Sequence, residues 1–514
     1  MEFKTRLLEM EAGGNLIVVI GARDAERLGV ISSDRVRLKT DDSEVVAILN
    51  IASEFPLGVL GVYEEVRQRL ELAEGDVVQV RLAERPESLS FIREKIAGEK
   101  LTARKIEILV DDVVERHLSD IELASFVTAL QINGMSMEEA ESLSRAMVRA
   151  GRTINFGRHP ILDKHSIGGV HGDKTTLVVV PIVAAAGYTI PKSSSRAITS
   201  PAGTADRVEV LCPVDLRMEE IVEVVEKVGA CIVWGGALDL APADDLFIRV
   251  EYPLSIDPLL LPSILSKKKA MGSSHIVIDI PTGRGAKIHT VDQAQQLARN
   301  FIELGSRLDM QIECAVTEGE QPIGRAIGPV LEAREALETV MGSGPPDLID
   351  KAASLAGILL EMVGEENGKD KALSILSSGK AEEKLRQIIE AQGGDPEVDP
   401  EYMPLGDKWI DVKAERGGRV LWINNSAIAH IARTAGTPSD KGAGLLLEAK
   451  MGDLISAGDV LYRIYAETSQ RLALAAELAE ELDPIAVGSR IGEKMLIRQV
   501  KGELRRRPEF ILER

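Results

Sequence analysis

The sequence predicts a multidomain α/β protein, and three observations lead to this prediction. The chain has 514 residues, which is too long for one hydrophobic core, so we expect two to four domains. Strand-like and helix-like segments alternate from residue 155 to about residue 400, which indicates an α/β domain with a mainly parallel sheet. Strand-rich segments at both ends of the chain indicate a β-rich N-terminal domain and a C-terminal barrel-like domain.

Residues 1–85 are predicted to form the β-rich N-terminal domain. Its strand-like segments read LIVVI, DRVRLKT, EVVAILNI and DVVQVRLAE. Residues 28–38 can be aligned with residues 70–80, because each segment runs from a short helix through a polar turn into an alternating strand. We interpret the domain as a pseudo-duplicated small barrel, and chance similarity of two such units is the alternative.

Residues 88–153 are predicted to form a helical domain, completed by residues from about 240 to 271. Thr102 precedes a segment whose apolar residues are spaced to share one helix face: Ile106, Leu109, Val110, Val113 and Val114. The sequences SDIE at 119–122 and SMEE at 136–139 match the capping box, in which serine and glutamate satisfy free amides of the first turn. These helices carry no candidate chemistry, so we expect them to act as a scaffold.

Residues 155–400, without the helical insertion, are predicted to form an α/β phosphate- and nucleotide-binding domain, because ligands bind beyond the carboxyl ends of parallel strands. Residues 405–514 are predicted to form a C-terminal α/β domain with a lipoyl-like barrel, since MGDLISAGDVL resembles half of such a barrel. The sequence EAKM raises the alternative that Lys450 carries biotin or lipoate. Turn geometry alone explains the pattern, and we expect no carrier role.

Composition and charge narrow the classes of function. The net charge of −20 argues against a nucleic-acid partner or an anionic membrane surface, although a pocket can still be basic enough for a small anion. Three widely spaced cysteines favour a reducing cytoplasm over a disulfide framework. No stretch approaches about 20 uninterrupted apolar residues and the N-terminus lacks a signal-type apolar segment, so we expect a cytoplasmic protein with no membrane span.

The sequence DKHSIGGVHGDKTT at residues 163–176 predicts a phosphate-binding loop. It lies between a strand that ends ILDKHS and a helix, LVVVPIVAAAG, that Thr175 or Thr176 is expected to cap. Glycine permits close approach of an anion to the backbone, and a helix N-terminus offers free amides with partial positive charge. Lys164 and Lys174 add charge, and Ser166 adds a hydroxyl donor. Neither a Walker loop nor a dinucleotide fingerprint is present.

His165 and His171 raise the alternative of a metal site. Neither HExxH nor CxxC accompanies them, and a flexible glycine loop is a poor preformed cage, so we expect no metal. His165 could instead donate to the sugar or base of a substrate, or it could simply be hydrogen-bonded within the loop.

A second polar loop, KSSSRAITSPAGTAD at residues 192–206, also follows a predicted strand and precedes a helical segment, which Thr204 could cap. Together, KHSIGGVHGDK and SSRAITSPAGTADRVE resemble the thymidine/pyrimidine nucleoside phosphorylase family, whose patterns there are KHS-x-GG-x-GDK, S-[GS]-R-[GA] and GT-x-D-x-[LIV]-E. The sequence SILSKK at residues 263–268 resembles a third element of that family. The resemblance covers residues 88 to about 500.

Three departures from the family pattern resemble an archaeal branch that acts on nucleoside 5′-monophosphates. His171 lengthens the glycine loop, the segment SPA at 200–202 replaces HTG, and an additional domain precedes the family core. The resemblance therefore implies a pentosyltransferase that converts AMP and phosphate to adenine and ribose 1,5-bisphosphate, with CMP and UMP also used. It implies inorganic phosphate as co-substrate, no cofactor, and a homodimer or larger homo-oligomer.

The resemblance also assigns roles to single residues. Asp257 is expected to protonate the leaving purine, and general acid catalysis contributes about 10²–10⁴-fold. Ser263 and Lys267 match positions that hold the base, whereas Lys268 and Lys269 are expected to be solvated.

The remaining expected contacts involve the two loops. Positions for inorganic phosphate are matched by Lys164, Ser166, Ser194 and Thr204, and His165 is a further candidate for a phosphate or base contact. The residues expected to bind AMP are Gly169, Ser195, Arg196, Ala197, Ile198, Thr199, Ser200, Thr204, Ser263 and Lys287. Ala197 and Ile198 are expected to donate through their backbone amides, because their side chains cannot.

Three other functions are weighed against this one. A pyrimidine nucleoside phosphorylase acting on uridine or thymidine is the alternative, and the three departures count against it. A phosphoribosyltransferase would need Mg²⁺ to carry pyrophosphate, and no acidic pair near the loop suggests that metal. A small-molecule sensor would not need the full set of donors.

Overall fold

The structure, a computed structural model, describes residues 1–41, 43–197 and 200–488. No helix within these ranges is long and apolar enough to cross a membrane.

The N-terminal unit is a closed barrel of strands in the order β1-β5-β2-β4-β3-β6. Its elements are β1 (Glu2–Leu7), β2 (Ile17–Gly21), α1 (Ala22–Leu28), β3 (Arg35–Lys39), β4 (Glu44–Ala52), β5 (Val59–Val62), α2 (Glu64–Leu70) and β6 (Val77–Leu82). Alternate side chains such as Phe3, Val36 and Leu38 fill the interior, as the two-residue period of a strand requires. The two segments aligned in the sequence correspond to α1–β3 and α2–β6, and β3 pairs antiparallel with β6.

A bundle of helices follows: α3 (Ser88–Ile96), α4 (Ala103–Val114), α5 (Asp120–Asn133) and α6 (Met137–Ala150). The oxygen of Thr102 caps α4, and both predicted capping boxes form, with bonds in each direction between serine and glutamate. The predicted apolar face of α4 is buried, including Ile106, Leu109 and Val113. A cavity of about 570 Å³ lies between the barrel and this bundle, lined by residues that include Arg35 and Glu122.

The α/β unit runs from residue 162 to residue 391. Its elements are β7 (Leu162–Ser166), α7 (Thr175–Ala185), β8 (Ile190–Ser194), α8 (Thr204–Val208), α9 (Met218–Val228), β9 (Ala230–Trp234), α10 (Pro242–Leu254), α11 (Leu260–Ala270), β10 (His275–Thr282), α12 (Val291–Arg307), β11 (Gln311–Glu318), β12 (Ala326–Ile327), α13 (Pro329–Val340), α14 (Pro346–Met362), α15 (Gly368–Ser377) and α16 (Lys380–Ala391).

The sheet of the α/β unit is parallel, as the sequence predicts. Strands β11, β10 and β7 pair in that order, and β8 pairs with β9. The Leu162 amide donates to the Thr189 carbonyl at 2.9 Å and continues the sheet from β7 to β8. Helix α7 is buried on all sides, which explains its uninterrupted apolar sequence. Helix α10 leaves this unit and packs on the bundle, where Phe247 meets Phe126 at 5.9 Å between ring centroids.

The C-terminal unit consists of β13 (Lys408–Lys413), β14 (Gly418–Ile423), α17 (Asn425–Ala435), β15 (Gly444–Leu447), β16 (Leu454–Ile455), β17 (Val460–Ala466), α18 (Ser469–Leu482) and β18 (Ile485–Gly488). One sheet has the order β12-β15-β17-β13 and the other β16-β14-β18. Strand β12 therefore comes from the α/β segment of the chain, which the sequence boundary near residue 400 did not predict. The predicted C-terminal domain continues beyond residue 488, outside the described residues.

Lys450 does not have the exposure of a carrier lysine. Its Nζ donates to the Pro322 carbonyl and, at 2.8 Å, to the Gly324 carbonyl, and it lies 3.0 Å from an oxygen of Asp347. The amine is therefore engaged between the C-terminal and α/β units.

Candidate active site

The first glycine loop connects the end of β7 to the start of α7, as the sequence predicts. The helix begins at Thr175 and its N-cap position is Lys174, so neither threonine is the cap. Gly169 has φ of +91°, and a Cβ built on it would lie 2.4 Å from the backbone nitrogen of Lys287. This close approach places the loop directly against Lys287, which follows β10.

The two lysines of this loop, Lys164 and Lys174, make different contacts. Lys164 is 1% exposed, donates to the Thr175 hydroxyl at 3.2 Å and lies 3.5 Å from Asp173. Burial opposes ionisation of Asp173, but Lys164, Lys351 and Arg207 outweigh it and hold the pKa of this carboxyl well below its ordinary value. The expectation that Lys174 charges the loop is wrong, because its Nζ forms a buried ion pair with Glu335 and donates to the Ala326 carbonyl at 2.9 Å.

A buried cluster of charged side chains lies on the other face of β7. Lys268 Nζ is 2.8 Å from one oxygen of Asp163, and Lys192 Nζ is 3.6 Å from the other. Lys268 also donates to the Ser193 carbonyl at 3.2 Å. The expectation that Lys268 is solvated is therefore wrong: it is 3% exposed and joins α11 to β7 and β8. Two lysines share one aspartate here, and burial, reinforced by Lys268, lowers the pKa of Lys192 well below its ordinary value.

Burial and the lysines of this cluster together determine the state of His165. Burial, reinforced by Lys268, Lys192 and Lys164, holds the pKa of His165 well below its ordinary value. His165 is therefore a neutral imidazole, able to donate from one ring nitrogen and accept at the other. Burial and Arg207 lower the pKa of His171 to about 4 in the same way.

Hydrogen bonds to the Asp206 side chain stabilise the backbone of the second loop. One oxygen of Asp206 accepts from the Ala197 amide at 2.7 Å and from the Gly203 amide at 2.8 Å. The Ala197 amide was expected to donate to a ligand, and in this structure it is already bonded within the loop. Arg196 stacks on Trp234 at 4.8 Å and pairs with Glu209 at 2.6 Å. Its guanidinium is therefore anchored at the end of β8.

The remaining hydroxyls of the second loop lie near the same sheet edge. Ser194 donates to the Val233 carbonyl at 3.0 Å and Ser200 to the Ala202 carbonyl at 3.2 Å. Thr204 is the first residue of α8, whose N-cap is Gly203, and its hydroxyl accepts from Arg207 at 3.4 Å. Ser195 is exposed and Ser166 is half-buried. Ile198 and Thr199 lie outside the described residues.

The two base-holding candidates on α11 are joined by Asp244 of α10. The Ser263 hydroxyl donates to Asp244 at 2.8 Å, and Lys267 Nζ lies 2.6 Å from the same oxygen. Burial lowers the pKa of Lys267, but Asp244 and Asp245 outweigh it and raise that pKa above its ordinary value. Lys267 is therefore a fully charged donor on the helical side of the site.

Asp257 and Lys287 form an ion pair across the site. Asp257 lies in the loop between α10 and α11, and one of its oxygens accepts from Lys287 Nζ. The side chains are 37% and 43% exposed, so both are open to a ligand. Because Lys287 also abuts Gly169, this pair connects the candidate acid to the first glycine loop.

The site therefore joins residues that are remote in the sequence. Residues of β7, β8 and α11 contact one another through Lys268, and Asp257 pairs with Lys287. Sequence reasoning missed Asp163, Lys192, Asp244 and Trp234. A lysine inside the buried strand β8 was the available signal, because a buried lysine needs an ionic partner.

Comparison with known proteins agrees with this organisation. Residues 89–151 match the family model described as "Glycosyl transferase family, helical bundle domain", residues 158–382 match "Glycosyl transferase family, a/b domain", and residues 420–486 match "Pyrimidine nucleoside phosphorylase C-terminal domain". The crystal structure of anthranilate phosphoribosyltransferase from Thermus thermophilus aligns with a TM-score of 0.51 at 20% identity, covering 59% of this chain and 98% of that chain. That likeness concerns the fold.

Curated relatives match all or nearly all of the chain. AMP phosphorylase of Thermofilum pendens is 49% identical over 514 residues, covering 100% of both chains. AMP phosphorylase of Pyrococcus furiosus is 50% identical, covering 95% of this chain and 98% of the relative. The fold and the family models define an enzyme of the pentosyltransferase class. Within that class, the chain belongs to the AMP phosphorylase family.

Proposed function

We propose that this enzyme catalyses phosphorolysis of AMP to adenine and ribose 1,5-bisphosphate, with CMP and UMP as further substrates. The observation that supports the proposal is the chain of contacts from Asp257 through Lys287 to Gly169, which joins the proposed acid to the proposed anion-binding loop. The relatives at about 50% identity are AMP phosphorylases, which does not favour the pyrimidine nucleoside alternative.

In the proposed reaction, an oxygen of inorganic phosphate forms a bond to C1′ of the ribose. The C1′–N bond breaks, its electron pair goes to the purine, and Asp257 supplies a proton to the departing base. Lys164, Ser166, Ser194 and Thr204 are proposed to hold inorganic phosphate. The proposed AMP contacts are Gly169, Ser195, Arg196, Ile198, Thr199, Ser200, Thr204, Ser263 and Lys287, with Lys267 and neutral His165 facing the base.

Lys287 is proposed to change partners during binding. In this structure its ammonium pairs with a side-chain oxygen of Asp257. An incoming phosphate group competes for Lys287, because hydrogen bonds between charged groups are strong. Once Lys287 faces the phosphate, the Asp257 carboxyl is released from the ion pair and can turn toward the departing base.

Asp257→Asn tests the acid. We expect kcat for AMP to fall by at least about 100-fold with modest changes in KM, because the amide keeps the shape of the carboxyl but supplies no comparable proton. Adenine release measured by chromatography, with phosphate present or omitted, gives both constants. Near-normal turnover in the variant would remove Asp257 from the mechanism.

A substrate panel tests the proposed reaction as a whole. Purified enzyme is given AMP, adenosine or thymidine with phosphate, with and without EDTA, and free base is measured. We expect AMP to be cleaved in preference to both nucleosides, only with phosphate, and without loss in EDTA, because no cofactor is proposed. Preferential cleavage of thymidine would replace the proposal with its alternative.

We further infer a homo-oligomer in a reducing, cytoplasmic setting, with no nucleic-acid partner. The three cysteines are free, and burial raises the pKa of Cys212 and Cys231 to about 12, which keeps these thiols unreactive. Light scattering of the purified protein measures the oligomeric state.

A further inference from the structure

The loop that carries Asp257 is attached at both ends to one buried residue, Glu251 of α10. At the start of the loop, the Ile256 amide donates to the Glu251 backbone carbonyl at 3.2 Å. At its end, the Leu259 amide donates to the Glu251 side-chain oxygen Oε1 at 3.2 Å. Leu259 is the N-cap residue of α11, so this carboxyl joins the last turn of α10 to the first turn of α11.

The backbone at the start of the loop needs such support. Ser255 ends α10 in the left-handed region, with φ of +53° and ψ of +40°. A residue other than glycine pays about 1 kcal/mol or more in this conformation. The bonds from Ser255 and Ile256 back to the helix form a Schellman arrangement, which usually contains glycine at this position.

We propose that Glu251 is a positioning residue for the catalytic acid: it fixes the loop of residues 255–259 so that Asp257 points at Lys287 and the base. The inference rests on the proposed function of Asp257. Glu251 is 5% exposed, so it does not meet substrate, whereas Asp257 is 37% exposed at the site. It acts through the Leu259 amide and not by contact with the reacting atoms.

The surroundings of Glu251 favour a neutral carboxyl. Burial, and then the charge of Asp257, raise the pKa of Glu251 to about 7. The hydrogen bond from the Leu259 amide opposes this shift, Asp244 adds to it and Lys287 opposes it. A neutral carboxyl still accepts the Leu259 hydrogen bond through Oε1. Below about pH 7, glutamine at this position therefore resembles the native group in shape, in acceptor and in charge.

Three substitutions separate the hydrogen bond from the charge. Glu251→Gln keeps the acceptor, Glu251→Asp keeps the carboxyl but shortens its reach by one methylene, and Glu251→Ala removes both. We expect E251A and E251D to lower kcat for AMP by at least about tenfold, with KM values for AMP and phosphate within about threefold of wild type, because a displaced acid impairs chemistry more than binding. E251Q should stay within about threefold of wild type in kcat. Arg249→Gln, on the exposed side of the same helix, is the matched control and should behave as wild type.

Hydrogen exchange gives a readout that does not depend on activity. In E251A and E251D the Leu259 amide loses its acceptor, and we expect it to exchange at least about tenfold faster than in wild type or E251Q. If the wild-type protein releases no adenine from AMP, the proposed function is wrong. In that case, hydrogen exchange at the Leu259 amide still tests whether Glu251 holds the loop.

Several results would overturn the inference. E251Q as impaired as E251A would mean that charge, not the hydrogen bond, matters. A rise in KM with unchanged kcat would make Glu251 a residue of binding. If E251A does not fold, E251D alone tests the proposal. Unchanged kcat and unchanged exchange at the Leu259 amide in E251D would show that Glu251 does not position the loop.

Discussion

Gly168 and Gly169 adjoin each other in the first loop and differ in what a side chain would meet. Both have positive φ, +79° and +91°. A Cβ at Gly168 has nothing within 4 Å, whereas a Cβ at Gly169 would lie 2.4 Å from the Lys287 nitrogen. Substitutions at Gly168 and Gly169 therefore distinguish the effect of backbone strain from the effect of displacing Lys287.

We expect Gly169→Ala to lower kcat/KM for AMP by at least about 100-fold, because Lys287 must move away from the position at which it is proposed to meet the phosphate. Gly168→Ala carries only the left-handed strain, about 1 kcal/mol, and should change kcat/KM by no more than a few-fold. Steady-state kinetics on both variants checks this. Equal losses in the two would show that the contact with Lys287 is unimportant.

Single residues also mark the limit of prediction from the sequence. The glycine loop, its place between strand and helix, and the nearness of Asp257 to the loops follow from motifs. The contact that Lys174 makes does not follow from the motifs, because its partner Glu335 lies 161 positions away in the sequence. Asp206 likewise takes the Ala197 amide, a competition within the loop that residue type alone does not reveal.

At the scale of elements, α11 is the link between the two sides of the site. It carries Ser263 and Lys267 toward the helical side, and Lys268 binds Asp163 and the Ser193 carbonyl in the sheet. Predictions from local sequence succeeded where an element is stabilised by its own residues, as in the capping boxes of α5 and α6. They failed for β12, because a strand of two residues, Ala326–Ile327, has no periodicity to detect.

Lys268→Met tests the link. We expect the substitution to destabilise the protein by roughly 2 kcal/mol, less than the about 3–5 kcal/mol typical of a broken buried pair, because Lys192 remains beside Asp163. Thermal unfolding measures this, and Lys269→Met, the next residue along the helix and partly exposed, is the control. A loss of stability equal to that of the control would show that the link contributes nothing.

At the scale of the whole molecule, Glu251 predicts a specific dependence of stability on pH. Its pKa rises from an ordinary 4.5 to about 7 on folding. The folded protein therefore binds this proton more tightly than the unfolded chain does. Its stabilising contribution is complete below about pH 4.5 and is lost as the pH rises through about 7.

Glu251→Gln removes this titration. We expect the Tm of wild type, relative to that of E251Q, to fall as the pH rises from 5 to 8, since only wild type must ionise a buried carboxyl. Calorimetry at several pH values measures the difference. A constant Tm difference across this range would show that Glu251 does not titrate there.

Strand β12 also has a consequence for how the chain is made. Its partner strand β15 begins at Gly444. Ala326 and Ile327 therefore have no partner strand until the ribosome has added more than one hundred further residues. At about 5–20 residues per second, that interval lasts roughly 6–24 s. During synthesis, the sheet that contains β12 therefore cannot form until the C-terminal unit has been made.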